Sequence, residues 1–188
     1  MKKKLVIVGG ANGVGKTTFA YEYKQENGIE YLGADEIAKE LSIKKLGNVE
    51  IKAGKEFFRR LENYFNNNRS VIIESTLSGL GLVKKIKKFK AIGYSIHIVY
   101  VFLEDVELCK NRIRVRVQKG GHDVPTIEIE RRFRRSLVNF QKVYMPLADK
   151  WQLFYNGFKR PIEVAIGEKS KIVIFDEEYY HEFKEISK

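Results

Sequence analysis

The segment Gly10-Ala11-Asn12-Gly13-Val14-Gly15-Lys16-Thr17 matches G-x-x-x-x-G-K-[ST] at every fixed position, and it constrains the fold more than any other feature of the chain. Glycines in such a loop let backbone N–H groups turn inward around phosphate oxygens, and the helix that follows adds the positive end of its dipole. The flanks suit this reading. Lys4 to Val8 is an apolar run ending in glycine, as expected of a buried strand, and Lys16 to about Gln25 reads as a helix stopped near Asn27-Gly28. The pattern assigns nucleotide contacts to Gly10, Asn12, Gly13, Val14, Gly15, Lys16, Thr17 and Thr18. Lys16 is expected to reach the β and γ phosphates of ATP or GTP, and the Thr17 hydroxyl to ligate Mg²⁺.

Strand-like and helix-like segments alternate beyond the loop. Ile29 to Leu32, Ser70 to Ile73, Ile96 to Leu103 and Gln152 to Tyr155 read as strands, with shorter ones at Ile162 to Ile166 and Ile172 to Phe175. Helices are expected from Ala34 to Leu41, Lys55 to Phe65, Leu80 to Phe89, Val106 to Gln118 and Thr126 to Tyr144, and again at the C-terminal end. Phe57, Phe58, Leu61, Tyr64 and Phe65 recur at helical spacing and read as core. Such alternation implies an α/β fold with a mostly parallel sheet covered on both faces. At 188 residues and 44% hydrophobic composition, the chain is expected to form a single domain over residues 1–188.

Two carboxylates stand at the ends of strands, where ligands of open α/β sheets sit. Asp35 directly follows the second strand and suits either a base facing the phosphate loop or the N-cap of the next helix. Glu74 ends the third strand and could orient an acceptor hydroxyl or bind magnesium through water; Ser75 and Thr76 after it are turn-forming and can cap a helix. Arg112 and Arg116, four apart, share one helix face, while Arg114 points elsewhere, so the pair suits two contacts to one nucleotide. Further on, Arg131, Arg132, Arg134 and Arg135 lie opposite an apolar stripe of Ile129, Phe133, Leu137 and Phe140. They form either a solvated face or a phosphate-facing lid over about residues 110–135, with Lys119 to Asp123 as its hinge or tip.

Charge and cysteine usage narrow the setting. The net charge is +11, of which residues 110–142 supply +7 through ten Lys and Arg against Asp123, Glu128 and Glu130. Lys84, Lys85, Lys87, Lys88 and Lys90 read as the wet face of a helix whose apolar side is Val83, Ile86 and Phe89. One cysteine, Cys109, permits no intrachain disulfide, and three scattered histidines give no metal-site spacing. No run approaches the ~20 apolar residues of a membrane span, and the apolar run behind the basic Met1 to Lys4 is too short for a signal-peptide core. A cytoplasmic protein without a membrane partner is expected.

Taken together, Gly9-Gly10-Ala11-Asn12-Gly13-Val14-Gly15-Lys16-Thr17-Thr18-Phe19-Ala20, Ala34-Asp35-Glu36-Ile37-Ala38, Glu74-Ser75-Thr76-Leu77-Ser78-Gly79 and Gly120-Gly121-His122-Asp123-Val124-Pro125 resemble the zeta-toxin-like P-loop kinases, over roughly residues 4 to 156. The resemblance implies a three-layer P-loop kinase fold with a five-stranded parallel sheet and a helical, arginine-bearing lid. It implies ATP-dependent, magnesium-dependent phosphorylation of a hydroxyl, UDP-N-acetylglucosamine or a related nucleotide sugar being the acceptor, and an antitoxin protein as partner. By motif, Asp35 falls where the family's catalytic base sits, Glu74 and Thr76 match its substrate-contacting Glu-x-Thr, and Arg116 matches a phosphate-stabilising arginine. A second family arginine falls near His122, which with Arg132 and Arg135 completes the candidate substrate contacts.

A kinase is the leading expectation: Lys16 and Mg²⁺ hold the triphosphate, Asp35 accepts the hydroxyl proton and Arg116 steadies the charge in transfer. No N-K-x-D guanine-reading segment supports a GTPase. The basic charge keeps a nucleic-acid-binding ATPase or polynucleotide kinase as the alternative.

Overall fold

The computed structural model describes residues 3–43 and 49–188; Met1 and Lys2 of the basic start lie outside the described residues. Strands β1 (Lys4–Gly9), β2 (Glu30–Leu32), β3 (Val71–Ser75), β4 (Ser95–Phe102) and β5 (Lys150–Tyr155) pair in parallel in the order β2-β3-β1-β4-β5. The connecting helices are α1 (Lys16–Asn27), α2 (Ala34–Ile43), α3 (Val49–Asn66), α4 (Gly81–Ala91), α5 (Val106–Gln118) and α6 (Thr126–Asn139). Strands covered on both faces should be apolar throughout rather than alternating. Leu5 to Val8, Val71 to Ile73 and Ile96 to Phe102 accordingly are buried without a break. In β5, nearer the edge, burial alternates, with Trp151, Leu153 and Tyr155 inside.

The sheet has seven strands among the described residues, which corrects the five implied by resemblance. Both additional strands, β6 (Ile162–Glu168) and β7 (Lys171–Ile174), are antiparallel. Only Lys169 and Ser170 separate them, too few for a parallel crossover, and Lys169 takes the positive φ of 55° that a tight hairpin turn requires.

One aromatic cluster fixes the helices that follow β4. The Tyr100 ring stacks on Phe140 at 4.0 Å with the planes 3° apart, and its hydroxyl shares a 2.7 Å bond with Ser136 Oγ in full burial. Phe183, from α8 (Glu177–Ile186), packs edge-on against both rings. Phe140 opens a π-helical turn, Phe140–Tyr144, which ends α6 earlier than the helical pattern implied and leads to the short α7 (Met145–Leu147). This wider turn lets Asn139 donate to Leu77 O at 3.0 Å and the Tyr144 hydroxyl to Gly79 O, so the loop after β3 is tied to the foot of α6.

On α3, Phe57 and Leu61 are buried as the aromatic stripe implied, while Phe58 lies under the Lys85 ammonium near the surface. Among the described residues, no helix is long and apolar enough to cross a membrane.

Candidate active site

β1 lies inside the sheet, and the chain leaves β1 and β4 toward opposite ends of it, which opens a crevice beyond their C-terminal ends. Residues 10–15 fill that crevice and run into α1. Gly10 and Gly13 take φ of 139° and 85°, which side chains with a Cβ adopt rarely. A Cβ at Gly10 would stand 2.2 Å from Val101 O, and one at Gly13 2.5 Å from Cys109 O, so the loop is pressed against β4 and α5. Gly15 takes the cap position of α1 without a side-chain cap, leaving the first-turn N–H groups for a ligand.

Lys16 Nζ donates to Ala11 O at 2.7 Å. Burial pushes its ammonium below the ordinary value of 10.5; Glu74 and, more weakly, Asp35 act in the opposite sense, while Arg116 adds to the depression. Glu74, Arg116 and Asp35, three residues from separate motifs, therefore all bear on the charge of one nitrogen. Thr17 Oγ1 donates to Glu74 Oε2 at 2.9 Å, and the Tyr31 hydroxyl donates to Glu74 Oε1 at 2.7 Å. Burial, together with the neighbouring Glu74, holds the Tyr31 phenol far above its usual range, so it remains a donor.

Asp35 is exposed and sits inside the first turn of α2, not at its cap; Gly33 O accepts from Ile37 N one turn on. The capping alternative is thereby displaced. Neighbouring Glu36 accepts from the Tyr21 hydroxyl. Ser75 and Thr76 do not cap α4 either, whose cap position is Leu80. Ser75 Oγ accepts from Leu77 N at 3.1 Å, and Thr76 Oγ1 shares a 2.8 Å bond with Ser78 Oγ.

Arg112 and Arg116 line a cavity of about 160 Å³ with Gly13, Gly15, Lys16, Thr17 and Thr18, as their shared helix face implied. Arg116 Nη2 donates to His122 O at 2.7 Å, which pins the glycine loop after α5. Arg114 turns away to Asn111. The arginines of α6 are not brought to the phosphate loop: Arg132 and Arg131 both pair with Glu128 on their own helix, and Arg135 is exposed. A larger cavity, about 290 Å³, lies beside β2 between α2 and α3, and its wall includes Gly33 and Glu36, the residues flanking Ala34-Asp35.

Sequence reasoning missed Asn156 and Tyr31. Asn156 Nδ2 donates to Val14 O at 2.7 Å, and Asn156 O accepts from Arg112 Nη2 at 2.7 Å. The rule that singled out Asp35 and Glu74, attention to residues just past parallel strands, also applies to Asn156 after β5. Asn12 Oδ1 in the loop is a buried acceptor without a partner, a state that costs about 1–3 kcal/mol unless a ligand relieves it.

The AAA domain family model matches residues 5–138. An uncharacterized protein of Haemophilus influenzae is 29% identical over 122 residues, covering 65% of this chain and 86% of that protein. Among solved structures, the PezAT chromosomal toxin-antitoxin system of Streptococcus pneumoniae aligns with a TM-score of 0.57 at 17% identity, over 85% of this chain and 72% of that one. A gluconokinase from Sinorhizobium meliloti 1021 aligns at 0.54 and 12% identity over 84% of each chain. The AvrRxo1-ORF1:AvrRxo1-ORF2 complex with ATP aligns at 0.70 and 15% identity over 99% of this chain and 64% of that one. The fold is that of a P-loop kinase.

Proposed function

The chain belongs to the AAA domain family of P-loop proteins, and from this premise we propose that it is an ATP-dependent kinase acting on a hydroxyl group of a small molecule. UDP-N-acetylglucosamine or a related nucleotide sugar is the acceptor in this reading. The observation that carries it is the cavity that Lys16 and Thr17 share with Arg112 and Arg116, with Thr17 bonded to Glu74, beside a glycine loop shaped for phosphate. A switch GTPase or motor has no need of an exposed carboxylate at the start of α2; a kinase needs one to receive the acceptor's proton.

Lys16 exchanges its bond to Ala11 O for the phosphates of the incoming nucleotide, and the free N–H groups at the start of α1 hold the same oxygens. Arg112 steadies the nucleotide from above, and Arg116 neutralises charge on the group in transfer. Asp35 takes the proton from the acceptor hydroxyl, which enters by the 290 Å³ cavity next to it. Glu74, Thr76 and His122 contact the acceptor side. The oxygens of Thr17 and Glu74 suit a hard cation, so Mg²⁺ would be held there and would supply neutralising charge at the phosphates. Arg132 and Arg135 belong to a lid over residues 110–135 and reach the site only when Arg132 leaves Glu128. An antitoxin protein is the proposed macromolecular partner, and the PezAT likeness supports it.

Incubation with labelled ATP and a panel of nucleotide sugars, sugars, nucleosides and oligonucleotides tests the proposal. A phosphorylated nucleotide sugar is expected, and Lys16→Ala is expected to abolish its formation. Label on an oligonucleotide end would instead select the polynucleotide kinase alternative.

A further inference from the structure

The two edges of the sheet are guarded very differently. At the β2 edge, Tyr31 and Leu32 are buried, and Glu30 is tied to Arg69 and Tyr64. At the other edge, β7 consists of Lys171-Ile172-Val173-Ile174, followed by Phe175. Ile172, Val173 and Phe175 are 51%, 52% and 58% exposed, although natural edge strands are usually blunted by several charges, a proline or a cover.

The hydrogen-bonding direction of this strand is fixed. Phe175 N donates to Val164 O at 2.8 Å, so by alternation the N–H and C=O of Ile172 and Ile174 point outward from the sheet. The sequence around the strand is self-complementary when read antiparallel. Lys169 and Lys171 precede the apolar centre, and Asp176, Glu177 and Glu178 follow it. Asp176 is engaged in capping α8 through Tyr179 N, which leaves Glu177 and Glu178 as exposed acids at that end.

We propose that β7 is the seam of a two-fold homodimer in which the sheets of two copies join edge to edge. In the register centred on Val173, the outward groups of Ile172 in each copy meet those of Ile174 in the other. Val173 then faces Val173 as a non-hydrogen-bonded pair, and the lysine end of each strand lies along the acidic end of its mate. Parallel pairing would set lysine against lysine instead. Because a two-fold contact uses both free edges, association stops at two.

Sedimentation equilibrium should give twice the chain mass for the wild type. Val173→Lys, which sets two ammonium groups opposite each other at the seam, should give a monomer with unchanged circular dichroism and ATP affinity. Val173→Cys should close a disulfide across the two-fold on mild oxidation, with Ile172→Cys about tenfold slower because its thiol faces no equivalent. The buried Cys109 is the chain's own single cysteine and provides a quiet background. A wild-type monomer at every concentration up to its solubility limit overturns the proposal, as does a dimer that survives Val173→Lys or a Val173→Cys variant that does not cross-link.

Discussion

Asn156 Nδ2 donates to Val14 O while the Asn156 carbonyl accepts from Arg112, so one residue past β5 braces the phosphate loop and the arginine above it together. Its backbone N–H is held by Phe102 O at 3.0 Å, which makes the brace part of the sheet and not of a loose loop. Truncation to Ala leaves Val14 O without its donor, while the backbone carbonyl that accepts from Arg112 stays in place, so the bridge between the loop and Arg112 is cut on the loop side. We expect Asn156→Ala to weaken ATP binding roughly tenfold by titration calorimetry, the size of one or two lost polar contacts. Asn156→Asp should weaken it further, because a carboxylate then faces a carbonyl. Unchanged affinity in both variants would show that the loop keeps its shape unaided.

Asp35 is expected to matter for transfer and not for nucleotide capture. It is exposed at the start of α2 and contributes only weakly to the field at Lys16. Loss of a general base costs on the order of a hundredfold or more in turnover. Asp35→Ala should therefore lower kcat by at least that order while the ATP dissociation constant moves by about threefold or less. Parallel loss of both quantities would assign Asp35 to holding the loop.

How much of this was legible in the sequence differs from residue to residue. The glycine-lysine-threonine loop was readable because backbone geometry and phosphate chemistry demand fixed residue types at fixed spacing. Helix periodicity correctly placed Arg112 and Arg116 on one face and turned Arg114 away. Tyr31 was hidden because its role depends on a contact of long sequence separation, and Asn156, though marked by its position just past β5, showed its partners only through such contacts. Tyr31 meets Glu74 only after β2 pairs beside β3, and Asn156 meets Val14 from the other end of the chain. The same reason misled the reading of Thr126 to Tyr144 as one helix, since the π-helical turn answers to Tyr100, Leu77 and Gly79 and leaves no local signature.

The Lys16 environment makes a prediction about pH. Burial lowers its pKa in the nucleotide-free protein, with Glu74 the main opposing influence, whereas bound phosphates favour the charged form. Affinity for ATP should then fall as pH rises through the depressed pKa, beginning below the 10.5 of an ordinary lysine. The limiting slope is about tenfold per pH unit for one proton. Lys16→Arg keeps its charge at these pH values and should lack that alkaline limb. If the limb persists in the arginine variant, another group is titrating.

A second titration concerns stability. His97 on β4 is buried between the Tyr23 hydroxyl, 3.1 Å from Nδ1, and Gln152 Oε1, 2.8 Å from Nε2. Burial pushes its pKa down to about 4, Lys150 adding to the effect and the Gln152 bond opposing it. The unfolded chain takes up this proton near pH 6.5 whereas the folded chain refuses it until about 4. The native state thus loses stability as pH falls from 6.5, reaching a deficit of about 3 kcal/mol near pH 4. Glu56, held down to about 2 by Arg59 and Arg60, has its own window lower, from 4.5 downward. Between pH 6.5 and 4.5 the urea midpoint should therefore fall in the wild type and stay flat in His97→Gln. An equal slope in both proteins would place the acid sensitivity elsewhere.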